Sequence, residues 1–275
     1  MTKTDMQAKI ISTVRQVKET CPLVPSITNT VTINLVANAQ LAVGGSAAMV
    51  YLPDEGEGLA MAGDAMYINM GTCFPVYAES LPRTARRLIE QNKPWVLDPV
   101  GIGLGGLRTE ILLQFRELKP TIVRGNASEI IALANLWGLE TGMAQDGVRG
   151  VDATDTVMAA RQAAEAMADF IDGAVAVSGE ADLVTDGEQT ALSEGGSELF
   201  TKITGAGCSL GGVTAVYAAA ADPFTAALTA VQAYNLAGTR AAAQAAGPGS
   251  FEIAVRDALY QATPEDIAGN PFRFI

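Results

Sequence analysis

The strongest constraint on this chain is an alternation of short runs that are apolar on both faces with longer stretches that repeat apolar residues at helical spacing. Residues 47–51, 65–70, 94–98, 121–124 and 174–178 are the strand candidates; residues 31–43, 55–62, 76–92, 109–118, 129–137 and 154–171 are the helices between them. A strand that is apolar on both faces must be covered on both faces. The pattern therefore predicts βαβ units and an α/β fold, a mostly parallel central sheet with helices on both sides.

After Ser178 the rhythm changes. Residues 182–186 and 189–193 flank Gly187 and predict a small hairpin that extends one sheet edge. From residue 208 to 246 the chain is rich in alanine, with Pro223 and Gly238 as the main interruptions, which predicts two tightly packed helices. A last helix is expected after Gly247-Pro248-Gly249, with Ser250 as its N-cap. No repeat, linker or low-complexity run divides the 275 residues, so one domain spanning 1–275 is the expectation.

Composition narrows the chemistry. The chain has 18 basic and 30 acidic residues, a formal net charge of -12, which repels a nucleic acid over the whole surface. The longest apolar candidate, residues 208–221, is cut by glycines and stopped by Asp222-Pro223, so no membrane span is expected. The first ten residues lack the basic start and apolar run of a secretion signal, and a cytoplasmic location follows as an expectation. Cys21, Cys73 and Cys208 are too scattered for a disulfide framework or a Cys-x-x-Cys metal site. There is no histidine, which removes the Ser-His-Asp and Cys-His triads and every histidine-based zinc site. Carboxylates, backbone amides, arginine, lysine, hydroxyls or a thiol must carry any reaction.

Ligands of open α/β sheets bind beyond the carboxyl ends of the strands. The residues there are Asn69-Met70-Gly71-Thr72, Asp98-Pro99-Val100-Gly101, Arg124-Gly125-Asn126 with Glu129, and Ser178-Gly179-Glu180. Each alone reads as an ordinary turn. Together they bring amide, carboxylate and guanidinium groups to one sheet edge. Asp98 and Glu129 are hard oxygen donors suited to Mg²⁺, and Arg124 offers a planar fork to phosphate oxygens. The segment Thr204-Gly205-Ala206-Gly207-Cys208-Ser209 opens an alanine-rich helix and has the form of an anion hole, with backbone N–H groups and the positive end of a helix dipole. No Gly-Lys-Ser/Thr follows, so it is not a Walker A loop, and no βαβ unit follows, so it is not a dinucleotide fingerprint.

Seven segments carry a resemblance. VLDPVG (96–101), VRGNASEI (123–130), VSGEAD (177–182), ITGAGCSL (203–210) and GPGSF (247–251) stand in the order and spacing of the hydroxyethylthiazole kinases, and SITNTVTINLVAN (26–38) and INMGT (68–72) resemble the N-terminal motifs of that family. The resemblance covers nearly the whole chain. It implies a ribokinase-like three-layer sandwich, ATP as co-substrate, Mg²⁺, a homotrimer, and phosphorylation of 4-methyl-5-(2-hydroxyethyl)thiazole for thiamine salvage. By match of motif it places Arg124 and Ser178, with Asn126 and Thr204, on the nucleotide side. Met49, Gly205, Asn29, Val31 and Cys208 fall on the thiazole side, and Asp98 and Glu129 near magnesium. Gly205, Ala206, Gly207 and Cys208 form the catalytic segment, with Cys208 where most ribokinase-like enzymes carry an aspartate. A helix N-terminus lowers a thiol pKa, so Cys208 is a candidate base as well as a candidate positioning group.

The chain departs from the family in residues 25–34, PSITNTVTIN, where a histidine, an asparagine, a tyrosine and a methionine are replaced. After DPVG, Gly103-Leu104-Gly105-Gly106-Leu107-Arg108 lacks the family's hydroxyl and aromatic ring. Three functions therefore stand side by side: a hydroxyethylthiazole kinase, a kinase of another small heterocyclic or branched alcohol, and an inactive relative that binds nucleotide or thiazole.

Overall fold

The computed structural model describes residues 1–139 and 157–275. In chain order the elements are α1 Lys3–Thr20, β1 Leu23–Ile27, α2 Ile33–Ala42, β2 Ser46–Met49, α3 Pro53–Ala62, β3 Met66–Asn69, α4 Tyr77–Glu90 and β4 Trp95–Asp98. They continue as α5 Gly106–Leu118, β5 Ile122–Asn126, α6 Ala127–Leu136, α7 Arg161–Ile171, β6 Ala174–Ser178, β7 Asp182–Thr185 and β8 Thr190–Ser193. A 3₁₀ turn at Glu198–Lys202 leads into α8 Ala206–Ala218, α9 Pro223–Ala242, α10 Pro248–Gln261, α11 Pro264–Gly269 and β9 Phe272–Phe274. Of the helix expected over residues 154–171, residues 154–156 lie outside the described residues. Among the described residues no helix is long and apolar enough to cross a membrane.

The strands form one sheet in the order β2-β1-β3-β4-β5-β6-β7-β8-β9. Pairing is parallel from β2 to β6 and antiparallel from β6 to β9. The hairpin of β7 and β8 extends the sheet as its sequence indicates, and β9 adds one further strand beyond it. Successive side chains leave a strand on opposite faces. Trp95 and Leu97 enter the core built with α3 to α7, whereas Val96 enters the core built with α1, α2 and α8 to α11. These are the two helix layers that two-faced apolar strands require.

The same alternation aims the polar residues. Tyr67, Val96, Ile122 and Ala176 face the layer that contains α8. Two residues further along the same strands stand Asn69, Asp98, Arg124 and Ser178, which must leave on that same face at the carboxyl edge. There the N-terminus of α8 meets them.

One local expectation needs correction, and one strand lies outside the expected set. Ser250 is not the N-cap: Gly247 is, and Ser250 sits in the first turn, where its Oγ accepts from the Ala246 and Gly247 N–H groups at 3.0 and 3.2 Å. Residues 25–27 are part of a strand, although Pro25 argues against one. Its ring lies against Gly63, where a Cβ would come within 2.6 Å of Pro25 Cδ, and β3 pairs only with Ser26 and Ile27, beyond the proline.

Candidate active site

Asp98, fully buried at the end of β4, is the centre of the polar cluster. Its Oδ2 accepts from Tyr67 Oη at 2.8 Å and from Arg124 Nη1 at 3.4 Å. Arg124 Nη2 in turn donates to Ser178 Oγ at 2.8 Å. Asp98 Oδ1 is buried with no hydrogen-bond partner among the described residues. Burial pushes the Asp98 carboxyl above its ordinary range, against the pull of Arg124 and the Tyr67 hydroxyl. Burial also works against the charge on Arg124, but Asp98 and Glu129 outweigh it and keep the guanidinium protonated.

Glu129 stands in the first turn of α6 and closes a capping box: its Oε2 accepts from the Asn126 N–H at 2.9 Å while Asn126 Oδ1 accepts from the Glu129 N–H at 2.9 Å. The Asn126 side-chain oxygen is thus engaged by the helix. Burial first, then the Asp98 charge, raise the Glu129 pKa; Arg124 and backbone amides oppose them. Two buried carboxylates held above their ordinary range, one with an unpartnered oxygen, suit a divalent cation. Among the described residues no group of three or more His, Cys, Asp or Glu side chains forms a protein-only metal cage. A cation held by Asp98 and Glu129 would complete its shell with phosphate and water, as Mg²⁺ does when it is bound through one or two carboxylates.

The glycines open the N-terminus of α8. Gly205 caps α8 at a φ of 92°, and a Cβ there would overlap the Thr32 side chain. A Cβ at Gly207 would overlap the Arg124 guanidinium, so the helix N-terminus and the arginine can converge only because residue 207 is glycine. Cys208, in the first turn of α8, is 8% exposed, and its Sγ accepts from Asn29 Nδ2 at 3.4 Å. The expectation of a lowered thiol pKa is reversed. Burial raises it, the Asp98 charge raises it further, and Arg124 only partly compensates.

Asn29 links Cys208 to Asn69, its Nδ2 donating to Asn69 Oδ1 at 3.0 Å. Met49 closes the edge strand β2 beside Ser26 and is half-buried against the α8 layer. Val31 and Thr204 lie together in a cleft of about 380 Å³, with Asn34, Leu35, Lys202 and Glu252. Sequence reasoning passed over Tyr67 and Arg108. Arg108 donates to the Met70 carbonyl at 2.8 Å and also binds the Gly71 and Leu104 carbonyls, bracing the loop after β4 against the loop after β3. A tyrosine inside an apolar run gives no signal of its own, and its place two residues before Asn69 gains meaning only with the strand register.

A mostly parallel sheet between two helix layers, with a glycine-opened helix N-terminus at its carboxyl edge, is the ribokinase-like fold. A ribokinase-like superfamily protein from Enterococcus faecalis V583 shares the fold at a TM-score of 0.57 and 11% identity, covering 86% of each chain. The family model described as "Hydroxyethylthiazole kinase family" matches residues 14–265, and the chain belongs to that family. A hydroxyethylthiazole kinase of Bifidobacterium longum (strain DJO10A) is 51% identical over 277 residues, 94% of this chain and 88% of the relative. The structure of a hydroxyethylthiazole kinase protein from Pyrococcus horikoshii OT3 superposes at a TM-score of 0.86 with 32% identity, covering 97% of this chain and 98% of that one.

Proposed function

We infer that the protein transfers the γ-phosphoryl group of ATP to the primary hydroxyl of 4-methyl-5-(2-hydroxyethyl)thiazole, with residues 1–275 acting as one kinase domain. The observation that carries this reading is the meeting of Asp98, Arg124, Ser178 and the Gly205-Ala206-Gly207-Cys208 turn at one sheet edge, in a chain 51% identical to a hydroxyethylthiazole kinase.

Each residue has a place in the transfer. Arg124 and Ser178 hold the nucleotide phosphates, with Asn126 supporting the turn beside them. Asp98 and Glu129 would hold Mg²⁺, which when bound neutralises charge on the phosphate oxygens. The N–H groups of the Gly205 to Cys208 turn face the transferred phosphoryl group, where negative charge spreads over its equatorial oxygens. Asn29, Met49, Val31 and Cys208 take the acceptor side, and Thr204 the nucleotide side. The acceptor oxygen bonds to the γ-phosphorus as the bond to the bridging oxygen of ADP breaks, and the acceptor proton leaves late, to phosphate oxygen or solvent. A neutral thiol accepting from Asn29 directs its own S–H elsewhere, so Cys208 orients the acceptor hydroxyl.

The altered residues 25–34 favour a second reading, a different small heterocyclic alcohol as acceptor. ADP release with MgATP and a panel of alcohols separates the outcomes. Turnover with the thiazole alcohol supports the first reading, turnover only with another alcohol the second, and none with any of them refutes both in favour of a binding module.

A further inference from the structure

From Asn29, which also donates to Cys208, the hydrogen bonds run in one direction through Asn69 and Tyr67 to Asp98, and backbone groups set that direction. Asn69 Oδ1 accepts from the Gly71 N–H at 2.8 Å, so the Asn69 amide must turn its Nδ2 toward Tyr67 Oη, 2.8 Å away. Asn29 Oδ1 accepts from the N–H groups of Val31 and Thr32 at 3.2 and 3.1 Å, so its Nδ2 must serve Asn69 Oδ1 at 3.0 Å and Cys208 Sγ at 3.4 Å. Tyr67 Oη already receives a proton from Asn69. Its own proton therefore goes to Asp98 Oδ2 at 2.8 Å.

Tyr67, Asn69 and Asp98 are fully buried and Asn29 is 5% exposed, so water does not substitute for a lost link. The fold makes room for the phenol: a Cβ at Gly211 in α8 would overlap the Tyr67 ring. Side-chain amides cannot pass a proton along, which makes this chain a brace and not a relay.

We propose that Tyr67 is a positioning residue for phosphoryl transfer, its hydroxyl tying the phosphate-side carboxylate Asp98 through Asn69 to the acceptor-side amide Asn29. The inference rests on the placement of phosphate and acceptor given above. Without the hydroxyl, Asn69 Nδ2 loses its acceptor in the interior; the Asn69 amide turns to find another, and Asn29 loses its seat beside Cys208.

Tyr67→Phe, which keeps the ring in its notch, tests this. Expected is a fall of about tenfold in kcat/KM for the alcohol, the loss of a hydrogen bond to a charged group, with KM for ATP within about twofold of wild type. In the double variant with Asn29→Ala, activity falls no further than in Asn29→Ala alone, because both changes break the same chain. Calorimetry with the thiazole alcohol and with ADP reads the same coupling without turnover: the variant binds the alcohol more weakly and ADP equally well. A wild type that neither binds nor phosphorylates the alcohol refutes the proposed function before any variant is made. With an active wild type, additive losses, or equal changes toward alcohol and nucleotide, overturn the positioning role alone. Should Tyr67→Phe not fold, Asn69→Ala breaks the same chain one link further on, and in the same cycle its losses support or overturn the role by the same criteria.

Discussion

Cys208 sits in the first turn of α8 with its sulfur on Asn29, and its burial beside Asp98 raises its pKa above the ordinary 9.0. The thiol is therefore neutral near pH 7, and a group that acts by position alone puts Cys208→Ala below the range of a general base: an expected turnover loss of about tenfold. Cys208→Asp remains active, because Asn29 Nδ2 and the helix N-terminus both receive a carboxylate. Steady-state ADP release on both variants decides; unchanged turnover in Cys208→Ala makes the thiol a packing residue. Asp98 and Glu129 are the converse case. Their charges are held in a buried site that raises both pKa values but also compensate the buried Arg124, so removing one relieves a desolvation cost and loses a charge partner, two effects on the fold of opposite sign. Asp98→Asn and Glu129→Gln lower turnover at least about 100-fold, in the range of lost electrostatic stabilisation, yet leave the urea midpoint near wild type. Excess EDTA abolishes wild-type turnover; full activity in EDTA removes these two residues from the reaction.

The turn between β6 and β7 shows the same tension in an element. Asp182 Oδ1 accepts from the Gly179 N–H at 2.9 Å, which shapes the turn after Ser178, but burial pushes its carboxyl up to about 6 from the ordinary 3.8. A folded-state pKa above the unfolded one means that the folded protein binds the proton more tightly. Below about pH 3.8 this group penalises nothing; as pH rises through about 6 it destabilises by up to about 3 kcal/mol. Asp182→Asn keeps an oxygen for Gly179 and cannot ionise. Its stability relative to wild type rises between pH 4 and about 6.5 and then levels off, which urea melts at a series of pH values will read; a difference that does not vary with pH removes the linkage. Elements such as β6 were legible because four successive apolar residues, Ala174 to Val177, alternate between the two faces and bear one reading. Others were hidden for physical reasons. In β1, Pro25 masks a strand that survives because Gly63 makes room for its ring. In α1, Met6, Ile10, Val14 and Val17 do fall at helical spacing, but the helix packs mainly on α8, α9 and α11, so the strand–helix rhythm does not announce it. The charged residues of the site were legible from strand ends. Tyr67 was not, because only the three-dimensional register of β3 and β4, with Asn69 opposite Asp98, makes its hydroxyl polar chemistry and not core filling.

At the scale of the whole molecule the acceptor side borders a face that one chain leaves uncovered. β2 ends the sheet with all four of its residues, Ser46 to Met49, only half-buried, and an unpaired parallel edge strand calls for cover. Around it Val31 is 71% exposed, Leu41 of α2 53% and Ile253 of α10 56%, while Val31 also lines the cleft with Thr204. Apolar side chains this exposed, beside residues assigned to the acceptor, favour burial against further copies of the chain, and the family resemblance favours closure as a trimer. Light scattering at micromolar concentration is then expected to give about three times the 28.5 kDa mass of the chain. Leu41→Glu and Ile253→Glu, neither of which touches the Asp98 cluster, lower that mass by placing charge in an apolar contact. If the acceptor site is completed at the subunit boundary, the dissociated variants raise KM for the alcohol while KM for ATP stays near wild type. A wild-type mass of one chain removes the trimer, and dissociated variants with an unchanged KM for the alcohol show that each chain carries a complete acceptor site.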